Sequence, residues 1–100
     1  MLLPIEIPSE KLTEFCQRHH IHRLSLFGSV LRDDFRPDSD VDFLVEFEAG
    51  KTPGFFKIAR MERELSEMIE GRKIDLKIPY ELSPYFRDRV MAEAVLQYGN

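Results

Sequence analysis

The 100-residue chain holds a single cysteine, which excludes an internal disulfide and a cysteine-based metal cluster. It lacks any excess of positive charge: the formal net charge is −4 and the pI about 5.3. A general nucleic-acid binder needs a basic face, so direct nucleic-acid binding is not expected. No apolar run is long enough to cross a membrane, and Met1–Glu6 lack the basic stretch that opens a signal peptide. The expectation is a soluble cytoplasmic protein with no membrane contact. Internal repeats, low-complexity segments and linkers are missing too, so residues 1–100 are expected to form one domain. Apolar residues are plentiful: 43% of the chain is hydrophobic, with eight Phe, enough for a core.

Patterning along the chain gives alternating helices and strands. Pro8-Ser9 opens a first helix with Ser9 as its expected N-cap, and Leu12, Phe15, Cys16 and His19 share its apolar face. Cys16 reads as a small core residue. His19, His20 and His22 adjoin a helix-to-strand junction without a second group of ligands, so a zinc site is not expected. A strand over 22–27 ends in Gly28-Ser29, and a short helical turn over Val30–Asp34 is stopped by Pro37. A second strand spans 40–47, with Val41, Phe43, Val45 and Phe47 on the core face and Asp40, Asp42, Leu44 and Glu46 on the other. Glu46 lies too far along the strand to join the two Asp residues, and is expected in solvent.

Thr52-Pro53 reads as the N-cap and first residue of a long amphipathic helix. Phe55, Ile58, Ala59, Met61, Leu65, Met68 and Ile69 form its core stripe, its charged residues a solvated face, and Gly71 its end. A third strand over 73–78 buries Ile74, Leu76 and Ile78 and turns Asp75 to the opposite face, among Lys73 and Lys77. Ser83-Pro84 opens a last helix with a stripe of Phe86, Val90, Ala94, Val95 and Tyr98, ended by Gly99. Tyr80, Tyr85 and Met91 are expected partly exposed, either as a partner-docking surface or as one more packed layer. The fold expected is α/β (α+β): a small mixed sheet of at least three strands, with helices mainly on one face.

The chemistry concentrates between residues 28 and 42: Gly28-Ser29, ten intervening residues, then Asp40-Val41-Asp42. Asp40 and Asp42 point the same way, roughly 7 Å apart at their bases. Two carboxylates on one face repel each other, and a hard cation such as Mg²⁺, which takes carboxylates together with substrate phosphates, removes the repulsion. Gly28 permits close backbone approach, and N–H groups at the start of a helical turn, with the Ser29 hydroxyl, suit phosphate. An anion cradle beside a cation site describes a nucleoside triphosphate site. The plainer alternative is a turn followed by solvated edge carboxylates, but strands are poor in Asp. For Asp75 the plainer alternative is an ion pair with Lys73 or Lys77.

Gly28-Ser29-x10-Asp40-x-Asp42, followed by Asp75 on a later strand, resembles the signature of the DNA polymerase β-like nucleotidyltransferases. The short length and the Gly28-Ser29-x-x-Arg32 start resemble the minimal nucleotidyltransferases (MNT), the antitoxin halves of HEPN–MNT toxin–antitoxin pairs. The resemblance implies a polymerase β-like fold, with Asp40, Asp42 and Asp75 as catalytic residues holding two Mg²⁺ ions. It assigns Gly28, Ser29 and Arg32 to the nucleotide; for Arg32 an ion pair that braces the loop through the neighbouring Asp residues is the equal alternative. It implies transfer of AMP from ATP to a tyrosine hydroxyl of a HEPN-domain RNase toxin. Leu31 and Asp33 depart from the family's Gly-Ser-x-Ala-Arg-Gly; the larger Leu31 and the added charge of Asp33 bear on turnover. Two alternatives stand beside this one: a binding-only antitoxin that masks its partner without catalysis, and nucleotidyl transfer to a small molecule.

Overall fold

A computed structural model describes residues 5–32, 35–36 and 38–99. The expectations for Asp33, Asp34 and Pro37 lie outside the described residues. The elements in chain order are α1 (Ser9–Arg18), β1 (Ile21–Phe27), a 3-10 turn (Gly28–Leu31), β2 (Val41–Phe47), α2 (Phe55–Met68), β3 (Ile74–Lys77), a second 3-10 turn (Pro79–Glu81), α3 (Arg87–Glu93) and β4 (Val95–Tyr98). The strands form one mixed sheet in the order β3-β2-β1-β4, so β3 and β4 are its edges. β1 pairs antiparallel with β2 and with β4, whereas β2 and β3 run parallel. A parallel pair needs a long crossover, and α2 is part of it.

The core follows from the two periodicities of the sequence. Phe15 and Cys16 of α1 and Met61 and Leu65 of α2 lie against Leu24, Leu26, Val41, Phe43 and Val45 of the central strands. Each such side chain taken from water stabilises the fold by roughly 1.5–3 kcal/mol. Burial along the α2 stripe is complete at Met61 and Leu65 and partial at Ile58, while Phe55 is 82% exposed. The first turn of α2 overhangs the core, so Phe55 is no core residue. Among the described residues, no helix is long and apolar enough to cross a membrane.

Several boundaries differ from the sequence reading. Ser9 is the first residue of α1, whose N-cap is Pro8, with no side-chain capping bond. α2 starts at Phe55 with Gly54 as N-cap, two residues beyond the Thr52-Pro53 start. The largest correction is at the C-terminal end. α3 stops after seven residues, Ala94 turns extended (φ −60°, ψ 140°), and Val95–Tyr98 join the sheet as a fourth strand. β1 would otherwise expose an open edge, and Leu26 and Ser25 take Val95 and Leu96 as partners. The face carrying the carboxylates is also less open than expected. Leu44 and Ser25 on it are buried, beside a cavity that Met91 and Ala94 help to line.

Candidate active site

The site is built at one end of the sheet, where β1 runs into the Gly28 turn and β2 and β3 begin side by side. Phe27 is opposite Asp42 across the antiparallel pair, and Asp42 is level with Asp75 across the parallel pair. Residues level on neighbouring strands point the same way, so the two carboxylates are neighbours about 4.8 Å apart at the backbone. Asp40, just ahead of β2, is close enough for its charge to act on Asp42. Strand alternation put Asp40 and Asp42 on one face, and the family resemblance implied that Asp75 joins them.

The electrostatic consequence falls on Asp42. Burial, then the charges of Asp75 and Asp40, push its carboxyl from 3.8 up to about 6. Lys77 and a hydrogen bond from the Ser29 backbone N–H act in the opposite sense. Lys77 also pairs with Asp75 at 3.7 Å, so the plainer reading of Asp75 is realised alongside its place in the cluster. A half-buried carboxylate between two others is a site short of positive charge, and three oxygen-ligand side chains suit a hard divalent cation. Among the described residues, no three His, Cys, Asp or Glu side chains are drawn together closely enough to hold a metal ion as they stand. The three carboxylates form an open row.

Gly28 is required here twice over. Its φ of +78° lies in the left-handed region, and a Cβ on it would fall onto the Asp42 carboxylate. Ser29 is bonded to both carboxylate-bearing residues of β2 and its approach. Its N–H is directed to Asp42, and its hydroxyl donates to the Asp40 carbonyl at 3.4 Å. Ser29 therefore ties the two carboxylate-bearing residues to the turn. Arg32 is exposed and lines a cleft of about 720 Å³ that begins at Gly28 and runs to α3. A second cleft, about 360 Å³, opens on the far side of the row, with Asp75 and Lys77 in its lining and Phe55 on its wall.

Residues that the sequence reading left in solvent turn out to have partners. Glu62 of α2 accepts the Leu76 N–H at 2.8 Å, next to Asp75. Glu64 accepts from Arg18 at 2.6 Å and bonds the buried His19 at 3.0 Å. Glu46 pairs with Arg23 at 3.5 Å. Phe86 and Arg89 line the larger cleft, where the sequence reading had placed neither. The apolar spacing of α3 marked Phe86 only as core, and nothing in the sequence marked Arg89. Burial pushes the Cys16 thiol up to about 12, which leaves it an inert core residue, as expected. Tyr80 and Tyr85 are 87% and 98% exposed, and Met91 is at the surface, in keeping with the expected exposure.

The nucleotidyltransferase domain model matches residues 9–96. The chain is similar to the protein adenylyltransferase MntA of Thermococcus cleftensis, at 32% identity over 82% of this chain and 80% of the relative. It is also similar to MJ0435 of Methanocaldococcus jannaschii, a protein adenylyltransferase candidate, at 34% identity over 85% of this chain and 88% of the relative. A solved minimal nucleotidyltransferase candidate superposes with a TM-score of 0.69 at 37% identity, over 87% of this chain and 86% of the other. A toxin–antitoxin structure with AMP-PNP superposes with a TM-score of 0.73 over 94% of this chain and 75% of the other. At 17% identity, that match speaks for the fold alone.

Proposed function

The chain belongs to the nucleotidyltransferase domain family, and from that premise we propose that it is a Mg²⁺-dependent protein adenylyltransferase of the minimal type, acting as one domain in the cytoplasm. The observation that carries this reading is the register that sets Asp42 level with Asp75, with Gly28 pressed against Asp42. The substrate is ATP. The acceptor is a tyrosine hydroxyl of a HEPN-type RNase toxin, which the transfer silences. Relatives named as protein adenylyltransferases, and solved complexes of MntA with HepT, support the activity and the kind of partner.

Asp40, Asp42 and Asp75 would hold the cation, which supplies charge neutralisation on the triphosphate and a lowered pKa at the acceptor hydroxyl. The chain's own residues do the rest. The Gly28-Ser29 turn leaves room for the phosphates, and Arg32 at the cleft rim offers them a guanidinium. Asp75 takes the proton of the acceptor hydroxyl. The hydroxyl oxygen bonds to the α-phosphorus, the bond to the β-phosphate oxygen breaks, and pyrophosphate leaves. The acceptor enters from the cleft that Asp75 helps to line, opposite the nucleotide side.

The test is the intact mass of the toxin co-expressed with this chain, before and after addition of ATP and Mg²⁺. Addition of one or more AMP units is expected with the wild type, and none with the Asp40→Ala/Asp42→Ala double variant. A stable complex with no added mass in either case would replace this reading with a binding-only antitoxin. Transfer that survives Asp75→Asn would remove Asp75 from the proton-accepting role.

A further inference from the structure

We infer that the cleft between the Gly28 turn and α3 is the seat of the nucleotide's base and ribose, with Phe86 as the surface on which the base stacks. The inference rests on the nucleotidyltransferase reading above, because it takes the phosphates to lie at the carboxylate row. The cleft's volume of about 720 Å³ lies within the ~300–1,000 Å³ of small-molecule sites. Gly28 closes one end, immediately beside Asp42, so a triphosphate at the row leads directly into it. The second cleft lies on the Asp75 side and is about half the size, at 360 Å³.

The lining suits a flat ring with a polar edge. Leu31, Val90 and Phe86 give apolar walls, and Arg32, Arg89 and Glu93 bring charge. Phe86 is the residue just before α3 and is 49% exposed. A base laid on it would cover apolar surface that the chain leaves in water, and aromatic faces stack any base. Other exposed aromatics, such as Phe55 and Tyr80, do not line this cleft. Arg89 and Glu93 stand one turn apart on α3 and pair at 3.4 Å. One rim of the cleft therefore offers a carboxylate acceptor beside a guanidinium donor. An exocyclic amino group donates to the carboxylate, whereas a ring carbonyl in the same place opposes it. The seat thus favours adenine over hypoxanthine, which differs from adenine by that one group.

Calorimetric titration of the full chain with Mg²⁺ and ATP, inosine triphosphate or inorganic tripolyphosphate tests the seat. ATP is expected to bind at least about ten-fold more tightly than tripolyphosphate, the difference being what stacking supplies. Phe86→Ala should remove about ten-fold from ATP and nothing from tripolyphosphate, while Phe86→Tyr keeps wild-type affinity for both. Glu93→Gln should lower the ATP-over-inosine triphosphate preference by a few-fold. If Phe86→Ala binds ATP as the wild type does, or if ATP binds no better than tripolyphosphate, the seat is wrong and the phosphate site stands. If wild type binds neither ligand, the underlying nucleotidyltransferase reading falls, and the seat with it. Should Phe86→Ala lose both ligands by unfolding, Glu93→Gln decides: an unchanged preference overturns the proposal, and a reduced one upholds it.

Discussion

Gly28 and Asp42 constrain each other through space rather than through chemistry. The glycine has a φ of +78°, and the space that a Cβ would fill is taken by the Asp42 carboxylate. Alanine at 28 therefore meets two penalties. The left-handed backbone costs about 1–2 kcal/mol, and the carboxylate has to leave its place between Asp40 and Asp75. Gly28→Ala is expected to lower the melting temperature by roughly 5–10 °C, about what 1–2 kcal/mol means for a domain of this size. It should also abolish transfer, because Asp42 no longer meets its neighbours. Differential scanning calorimetry beside the mass assay separates the two effects. A variant as stable and as active as the wild type would mean that the carboxylate has another resting place.

At the scale of elements, β3 carries Asp75 and has a free edge. Glu62 caps that edge by accepting the Leu76 N–H at 2.8 Å, and just beyond β3 Glu81 accepts the Ile78 N–H at 3.1 Å, capping the second 3-10 turn. Unpaired edge donors invite strand addition by other chains, and capping them blunts the edge. The Glu62 bond also fastens α2 to the strand that holds Asp75. Glu62→Ala leaves a part-buried N–H without an acceptor, a cost of about 1–3 kcal/mol. The expected result is a lower urea midpoint and a slower transfer, with Glu62→Gln restoring both because its amide oxygen still accepts. Equal loss in the Ala and Gln variants would assign the effect to the charge of Glu62 rather than to its bond.

The same element shows why parts of the molecule were readable in the sequence and others were not. Asp40 and Asp42 could be placed on one face because strand alternation fixes direction over two residues; alternation also turned Asp75 away from its strand's core face, but its place beside them came from the family resemblance. Met61 and Leu65 were readable for the equivalent reason in a helix. Glu62 was not, because its acceptor role depends on where α2 comes to rest on β3, which no local pattern encodes. β4 failed in an instructive way. Val90, Ala94, Val95 and Tyr98 fit a helical stripe, and Val95–Tyr98 equally suit a strand; the free edge of β1 decides between them. The cleft residues Phe86 and Arg89 become a group with Gly28 only after that fourth strand has drawn α3 across.

At the scale of the whole molecule, two titrating groups pull stability in opposite directions as pH changes. His19 is buried under α1 and bonded to Glu64 of α2. Burial outweighs the Glu64 carboxylate, so its folded pKa lies below the usual 6.5. The folded state therefore prefers neutral His19. Its contribution is complete above the unfolded value and is lost as pH falls through the folded one. Asp42 behaves in reverse. Its folded value, about 6, exceeds 3.8, so the fold prefers it protonated, and its contribution is complete below 3.8 and lost as pH rises through 6. Single variants should separate them: His19→Gln flattens the acid side, and Asp42→Asn removes the loss on the neutral side. Solvent screening at this half-buried carboxylate leaves about 1 kcal/mol of penalty, so Asp42→Asn should melt about 5 °C higher than wild type near pH 7.5. Below 3.8 the two should coincide. Divalent cation provides the last discrimination. If the carboxylate row is a cation site, Mg²⁺ raises the wild-type melting temperature near neutral pH, EDTA reverses the gain, and Asp42→Asn responds to neither. A neutral-pH gain from Asp42→Asn with no Mg²⁺ response in the wild type would leave the repulsion real but deprive it of a catalytic purpose.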